Sequence, residues 1–199
     1  MKRLLSLVLT GAFILLYGGA CIASEINRPE PFDLIEYCEN HEIHSEEELE
    51  DILYPYIGDS DPANTNETNN QNTLVSYDLT IDYENQYIIT TSVYEERNLR
   101  GSKSGYAEKK YRSSSGYVIF KVRVDGEFSY NGSTCSTTSA TATFTPTLLS
   151  GWSSTPSASS GKSGNKAYAR AFGTAVNGTH SQSYSVYLYC DVSGNLTTS

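Results

Sequence analysis

The stretch Tyr117-Val-Ile-Phe-Lys-Val-Arg-Val-Asp-Gly-Glu-Phe-Ser-Tyr130 alternates apolar with polar side chains. One side of the alternation is apolar and comprises Val118, Phe120, Val122, Val124, Phe128 and Tyr130. The other side is polar and comprises Lys121, Arg123, Asp125, Glu127 and Ser129. A period of two predicts a strand with one buried face and one solvated face. Asn131-Gly132 follows as a turn signal, because both residues tolerate positive φ.

Several further segments of the same character follow one another without an inserted helix. Alternation recurs in 77–83, 87–93, 134–144, 167–176 and 184–192. The basic stretch from Arg97 to Gly116 holds a weaker strand at 106–111, and Ser157 to Asn165 is expected to be a flexible loop. Short strands separated by turns predict an all-β fold, an antiparallel β-sandwich of about seven or eight strands over residues 74–199.

Residues 24–57 differ from the β region because they read as a short acidic α-helical hairpin. Apolar residues at 32–37 fit a helix that ends near Asn40. Ser45 and Glu48 form a capping box for a second helix, whose length Pro55 is expected to limit. Residues 58–73 have almost no apolar side chains and are predicted to form a disordered linker.

The first 23 residues have the layout of a secretory signal peptide. Lys2 and Arg3 precede a short apolar run and small residues, which predicts cleavage between Ala23 and Ser24. The expected location is therefore secreted or extracellular. The alternative is a lipoprotein anchored through Cys21. In either case the mature chain has no apolar run long enough to span a membrane.

The charge is divided unevenly along a chain whose net charge is −9. Residues 24–73 carry 14 acids and one base, whereas residues 74–199 carry nine acids and 11 bases. This split predicts two units and suggests that the acidic segment docks on the basic stretch. The candidate binding residues are the basic and aromatic ones Arg97, Arg100, Lys103, Tyr106, Lys109, Lys110, Tyr111 and Arg112, together with Trp152. The alternative interpretation is an edge strand protected by lysines.

Three cysteines remain after cleavage. Cys135 and Cys190 both lie in strand-like sequence, and an exported chain meets oxidising surroundings, so a disulfide between them is predicted. The alternative is that all three cysteines are reduced and pack as small hydrophobes. Cys38 also begins a Cys-x-x-His-x-x-His pattern with His41 and His44. That spacing does not converge on a continuous helix, so neither a metal nor another cofactor is expected.

Catalytic patterns are weak. No Gly-x-Ser-x-Gly elbow occurs, His180 is the one histidine of the β region, and the β-region acids alternate onto solvated faces. The favoured function is a secreted, non-catalytic binding or cell-envelope-associated protein, with an extracellular protein or glycan as ligand and no nucleic acid. The alternative is a secreted hydrolase whose site is assembled from scattered residues.

A resemblance adds to this interpretation. Gly126-Glu127-Phe128-Ser129-Tyr130-Asn131-Gly132, followed by Cys135, Trp152, Ala167, Cys190 and Gly194, resembles uncharacterised exported proteins of Gram-positive bacteria. Those proteins share a Phe-x-Tyr-Asn-Gly strand end, a central Trp and a Cys near a final Ser-Gly-Asn turn. The resemblance covers about residues 101–199. It implies export and a β-sandwich, and it implies no activity.

Overall fold

The computed structural model describes residues 32–58, 72–147 and 150–199. The predicted signal segment and most of the predicted linker lie outside these residues. Two helices and nine strands occur in the described part: α1 Leu34–Asn40, α2 Glu46–Ile57, β1 Thr73–Asp82, β2 Tyr87–Leu99, β3 Ser102–Ser113, β4 Val118–Tyr130, β5 Cys135–Pro146, β6 Ser157–Ser163, β7 Lys166–Asn177, β8 His180–Cys190 and β9 Leu196–Thr197.

The strands form two antiparallel sheets, which confirms the predicted sandwich. The first sheet has the order β1-β2-β3-β4-β5 and the second has the order β6-β7-β8-β9. The alternation in β4 is confirmed, because Val118, Phe120, Val122, Val124 and Phe128 are all buried while their neighbours are more exposed. These side chains face the buried residues of β7 and β8 across the core.

The two sheets approach closely where β4 crosses β7. The buried side of β7 consists of small residues, Ala167, Ala169, Ala171 and Ala175. Opposite them lies Gly126, where an added Cβ would lie 3.0 Å from the Cβ of Ala169 and 2.8 Å from the Phe128 ring. Small side chains on one sheet therefore leave room for the aromatic side chains of the other.

Both helices begin where the sequence supplies a cap. The Asp33 carboxylate accepts from the Ile35 N–H at 2.9 Å, and the Ser45 hydroxyl accepts from the Glu48 N–H at 3.1 Å. The Glu48 carboxylate accepts in return from the N–H of His44, one residue before the cap. The expectation that Pro55 limits α2 is wrong, because the helix continues to Ile57. Pro55 removes only one hydrogen bond, close to the helix end.

The helices pack on the outer face of the first sheet and create a second core there. Leu34, Leu49 and Leu53 are fully buried in it, together with Ile88 of β2. The β1 residues Tyr77, Leu79 and Ile81 pack against this second core. The apolar residues that alternate along β1 therefore pack against the helices. The acidic segment is an integral layer of the fold.

Two segments are more regular than their sequences indicate. β3 runs from Ser102 to Ser113 rather than over a weak central patch, and the expected loop at 157–165 is mostly strand β6. β6 is rich in Ser and Gly and has low intrinsic strand propensity. It is held by continuous pairing with β7, from Ser157 opposite Phe172 to Ser163 opposite Lys166.

The predicted disulfide is wrong: Cys38, Cys135 and Cys190 are all free thiols. Cys135 and Cys190 are buried neighbours across the sandwich core. Burial, together with a hydrogen bond to Cys135, raises the pKa of the Cys190 thiol to about 12. Cys190 therefore packs as a protonated thiol, and both cysteines pack as small buried side chains, as the alternative interpretation holds. None of the described helices has the length and apolar character needed to cross a bilayer.

Candidate ligand-binding face

The outer face of the second sheet carries a group of aromatic side chains. Alternate residues of β7 and β8 point into the core, where Ala169, Val186 and Leu188 are buried. The residues between them point outward and are partly exposed. We call this set the aromatic face: Tyr168, Arg170 and Phe172 of β7, with Tyr187 and Tyr189 of β8.

The rings of the aromatic face support one another. Tyr187 and Tyr189 lie two residues apart on one strand, with ring centroids 5.5 Å apart and an interplanar angle of 9°. Tyr168 meets both rings edge-on, at 5.7 and 6.0 Å. Because each ring contacts the next, the three tyrosines form one contiguous surface whose side chains are held in place before any ligand arrives.

Gly161 of β6 fixes the position of Tyr168. The two residues pair directly, and a Cβ at position 161 would lie 2.6 Å from the Tyr168 hydroxyl oxygen. The tyrosine ring therefore lies across the neighbouring strand where only a glycine leaves room for it. This contact extends the aromatic face from β8 over β7 to β6.

Arg170 is held between two aromatic rings. Its guanidinium carbon lies 4.6 Å from the Phe172 ring centroid and 5.0 Å from that of Tyr187. Its Nε donates a hydrogen bond to the Ser185 hydroxyl at 2.9 Å. Within the described part of the chain, the two terminal nitrogens of Arg170 have no hydrogen-bond or ion-pair partner. The planar end of the Arg170 guanidinium is thus held in one orientation and has no partner among the described residues.

The strands that carry the aromatic face are rich in hydroxyl groups. Strands β6 to β9 contain no Asp or Glu. Lys166 extends the face along β7, with its Nζ 3.5 Å from the Thr197 hydroxyl. Hydroxyl side chains occupy most of the remaining outward positions of the paired strands, the exceptions being Gly161 and Val176: Ser157, Ser159, Ser163, Thr174, Ser181, Ser183 and Ser185. The second sheet is therefore a cationic, hydroxyl-lined surface on an acidic protein.

The predicted basic stretch lies elsewhere, and part of it is covered by the helices. Arg112 is fully buried; its guanidinium bonds Glu46 at 2.6 Å and also contacts Glu50, while Lys110 bonds Glu46 at 2.8 Å. Burial alone would raise the pKa of Glu46, but Arg112 and Lys110 outweigh burial and lower it. The acidic segment thus contacts the basic stretch through a buried ion cluster, which we call the Arg112 cluster: Glu46, Glu50, Lys110 and Arg112.

The other predicted binding residues are mostly engaged inside the protein. Buried Lys103 pairs with Glu95 at 2.8 Å, and Lys109 donates to the Ser185 carbonyl at 3.3 Å. Tyr111 and Trp152 both pack against Phe120 in the core, and Tyr106 is buried with its ring stacked on Tyr94. Arg100 is exposed in the β2–β3 turn, and the side chain of Arg97 lies outside the described part.

The remaining sequence candidates do not converge on a site. His180 is exposed at the start of β8, and the His41 ring stacks on Tyr37. Among the described residues, no three His, Cys, Asp or Glu side chains come together as metal ligands. A shallow depression of about 500 Å³ on the helices is lined by Tyr37, Ser45, Glu47, Glu48, Asp51 and Ile52, so its charge is opposite to that of the aromatic face.

Sequence reasoning missed the aromatic face, although its signal is present. The β7 and β8 residues considered in the sequence were those of the core side, whereas Tyr168, Arg170 and Phe172 lie on the opposite side. Rings and cations at every second position of a strand whose other face is alanine predict that the rings and cations face outward. No family model, curated protein or solved structure matches this chain.

Proposed function

We propose that this chain is a secreted, non-catalytic glycan-binding module and that the aromatic face is its binding surface. The observation that carries the proposal is the contiguous, partly exposed group Tyr168, Tyr187 and Tyr189 on the outer face of a regular sheet. Tyrosine rings offer an apolar surface to the C–H faces of sugar rings, and their hydroxyls remain available for hydrogen bonds.

The composition of this face favours a glycan over a protein partner. Protein–protein interfaces are depleted in lysine and serine relative to the rest of the surface, although tyrosine, phenylalanine and arginine are enriched there. Here Val176 is the one aliphatic residue at an outward position of the second sheet, Lys166 and Arg170 are charged, and most positions around the rings carry serine or threonine hydroxyls. Hydroxyls around stacked rings match a ligand that is itself covered with hydroxyl groups.

Export is part of the proposal and rests on the N-terminal sequence. Lys2, Arg3 and the short apolar run are typical of a secretory signal. N-terminal sequencing of the exported protein should begin at Ser24. A diacylglycerol-modified Cys21 at the new N-terminus would instead make the protein a lipid-anchored envelope component.

Binding of the purified chain to a glycan array tests the proposal. A Tyr187→Ala/Tyr189→Ala double variant should lose binding, because two of the three contiguous tyrosine rings are gone. Tyr83→Ala is the matched control, since Tyr83 is an exposed tyrosine in the β1–β2 turn, away from this sheet. Binding that survives in the double variant, or glycan turnover by the wild-type chain, would contradict the proposal; turnover would favour the hydrolase alternative.

A further inference from the structure

Among the described residues, two arginines lie over aromatic rings, and only one of the two is paired with carboxylates. Arg123 on the first sheet lies 3.5 Å from the Tyr106 ring centroid and pairs with Asp125 at 2.5 Å and Glu96 at 3.0 Å. Arg170 has the same kind of ring contact and no carboxylate partner in the described part of the chain. A guanidinium oriented in this way can donate hydrogen bonds to an external anion.

The two terminal nitrogens of Arg170 donate to no acceptor within the described part of the chain. Phe172 and Tyr187 flank the guanidinium, and Ser185 takes the Nε hydrogen bond. The other end of the group can then donate two parallel hydrogen bonds, which is the arrangement that binds a planar carboxylate in bidentate fashion. Because the side chain is already held, little rotamer freedom is lost on binding.

Cations and rings alternate along β7. Lys166, Tyr168, Arg170 and Phe172 occupy successive outward positions. Outward positions on one strand recur at roughly 6.5–7 Å, so Lys166 and Arg170 are separated by roughly 13 Å with one ring between them. A ligand that lies along this strand meets an anion-binding group, an aromatic surface and a second anion-binding group in turn.

We propose that the aromatic face recognises a polysaccharide of carboxylated sugars (uronic acids), with Arg170 as the residue that binds the carboxylate. This inference rests on the proposed function and names the ligand class of the same face. A uronic acid supplies both features that the strand matches, a ring with a C–H face for Tyr168 and a planar anion for Arg170. A polyol phosphate has the anion without the ring face, and a neutral glycan has the ring without the anion.

A pair of ligands that differ only in charge tests the inference on the wild-type chain. Polygalacturonate and its fully methyl-esterified form have the same sugar backbone, and only the first carries carboxylates. Isothermal titration should give at least about tenfold tighter binding to the acid form, since hydrogen bonds to a charged group are stronger than hydrogen bonds between neutral groups. Arg170→Gln should reduce the ratio between the two forms towards one, whereas Arg170→Lys should retain part of it.

The outcomes separate this inference from the proposed function. Equal binding of both forms would overturn the carboxylate assignment and leave a neutral-glycan module. Binding of neither form, with neutral glycans bound through the tyrosines, would also overturn it. No glycan binding of any kind would remove the proposed function as well. Tighter binding to single-stranded DNA than to polygalacturonate would show that the aromatic face recognises a different polymer. Lys121→Gln on the first sheet is the matched charge control and should change neither affinity.

Discussion

The outer faces of the two sheets carry similar chemical groups and use them in opposite ways. On the first sheet, Arg112 is buried beneath α2 against Glu46 and Glu50. On the second sheet, Arg170 lies among rings with its terminal nitrogens unoccupied by described residues. Cations on a strand face are therefore no guide to a binding site by themselves. The deciding factor is whether the chain supplies its own carboxylates to cover them.

The largest expected effect comes from breaking the Arg112 cluster. Arg112→Ala leaves Glu46 and Glu50 near the sheet without their buried cation, which should destabilise the protein by about 3–5 kcal/mol. Arg170→Ala removes the same side chain from the open face and should change stability by less than about 1 kcal/mol. Thermal or urea unfolding of both variants measures the difference. If both variants lost the same amount of stability, the buried Arg112 would contribute no more to folding than Arg170 on the open face.

A smaller but still large effect is expected from the second core. Leu53 is fully buried between α2 and the first sheet, so Leu53→Ala should cost about 2–5 kcal/mol. Leu74→Ala is the matched control because Leu74 is 41% exposed at the start of β1, and it should cost less than about 1 kcal/mol. If Leu53→Ala lost no more stability than Leu74→Ala, the helices would not be an integral layer of the fold.

The pH dependence of stability isolates Glu46. The pKa of Glu46 is lower in the folded protein than in the unfolded chain, so its contribution is fully present above the ordinary glutamate pKa of about 4.3. That contribution is lost progressively as the pH falls below this value. Glu46→Gln should therefore cost roughly 1–3 kcal/mol at neutral pH and progressively less in acid. A constant difference between wild type and variant from pH 7 to pH 3 would show that the carboxylate is not the stabilising group.

The smallest effect on stability is expected on the aromatic face itself. Tyr189 is partly exposed and contributes ring contacts only, so Tyr189→Ala should cost about 1 kcal/mol or less. Its effect should appear in glycan affinity instead. Denaturant unfolding and glycan titration of the same sample measure both quantities. A loss of stability comparable with that of Leu53→Ala would mean that the ring is structural.

The fold was more predictable than the site because its signals are local. The alternation of β4 and the Ser45 cap each depend on residues adjacent in sequence, and both are present as expected. β6 was missed because its order comes from pairing with β7 rather than from its own residues. The sequence also does not show which face of β1 the helices cover, since either face of a strand can be the covered one.

The site was harder to predict because it depends on pairing between distant segments. Lys110 and Arg112 look available in sequence, and nothing local indicates that Glu46 lies 2.6–2.8 Å away in the folded chain. Conversely, Tyr168 and Tyr189 are 21 positions apart, and only the register of β7 with β8 brings them together. Charge and aromatic content identify candidate residues, and sheet topology decides which of them remain open to a ligand.

If the aromatic face is the binding surface, the ligand binds the second sheet and not the helix-covered first sheet. The most direct measurement is backbone amide chemical-shift mapping of the ¹⁵N-labelled chain during titration with polygalacturonate. We expect shifts concentrated at Tyr168, Arg170, Tyr187 and Tyr189 and their β6 neighbours, with α1, α2 and β3 unchanged. Shifts confined to α2 and the Lys109–Arg112 stretch of β3 would contradict this expectation.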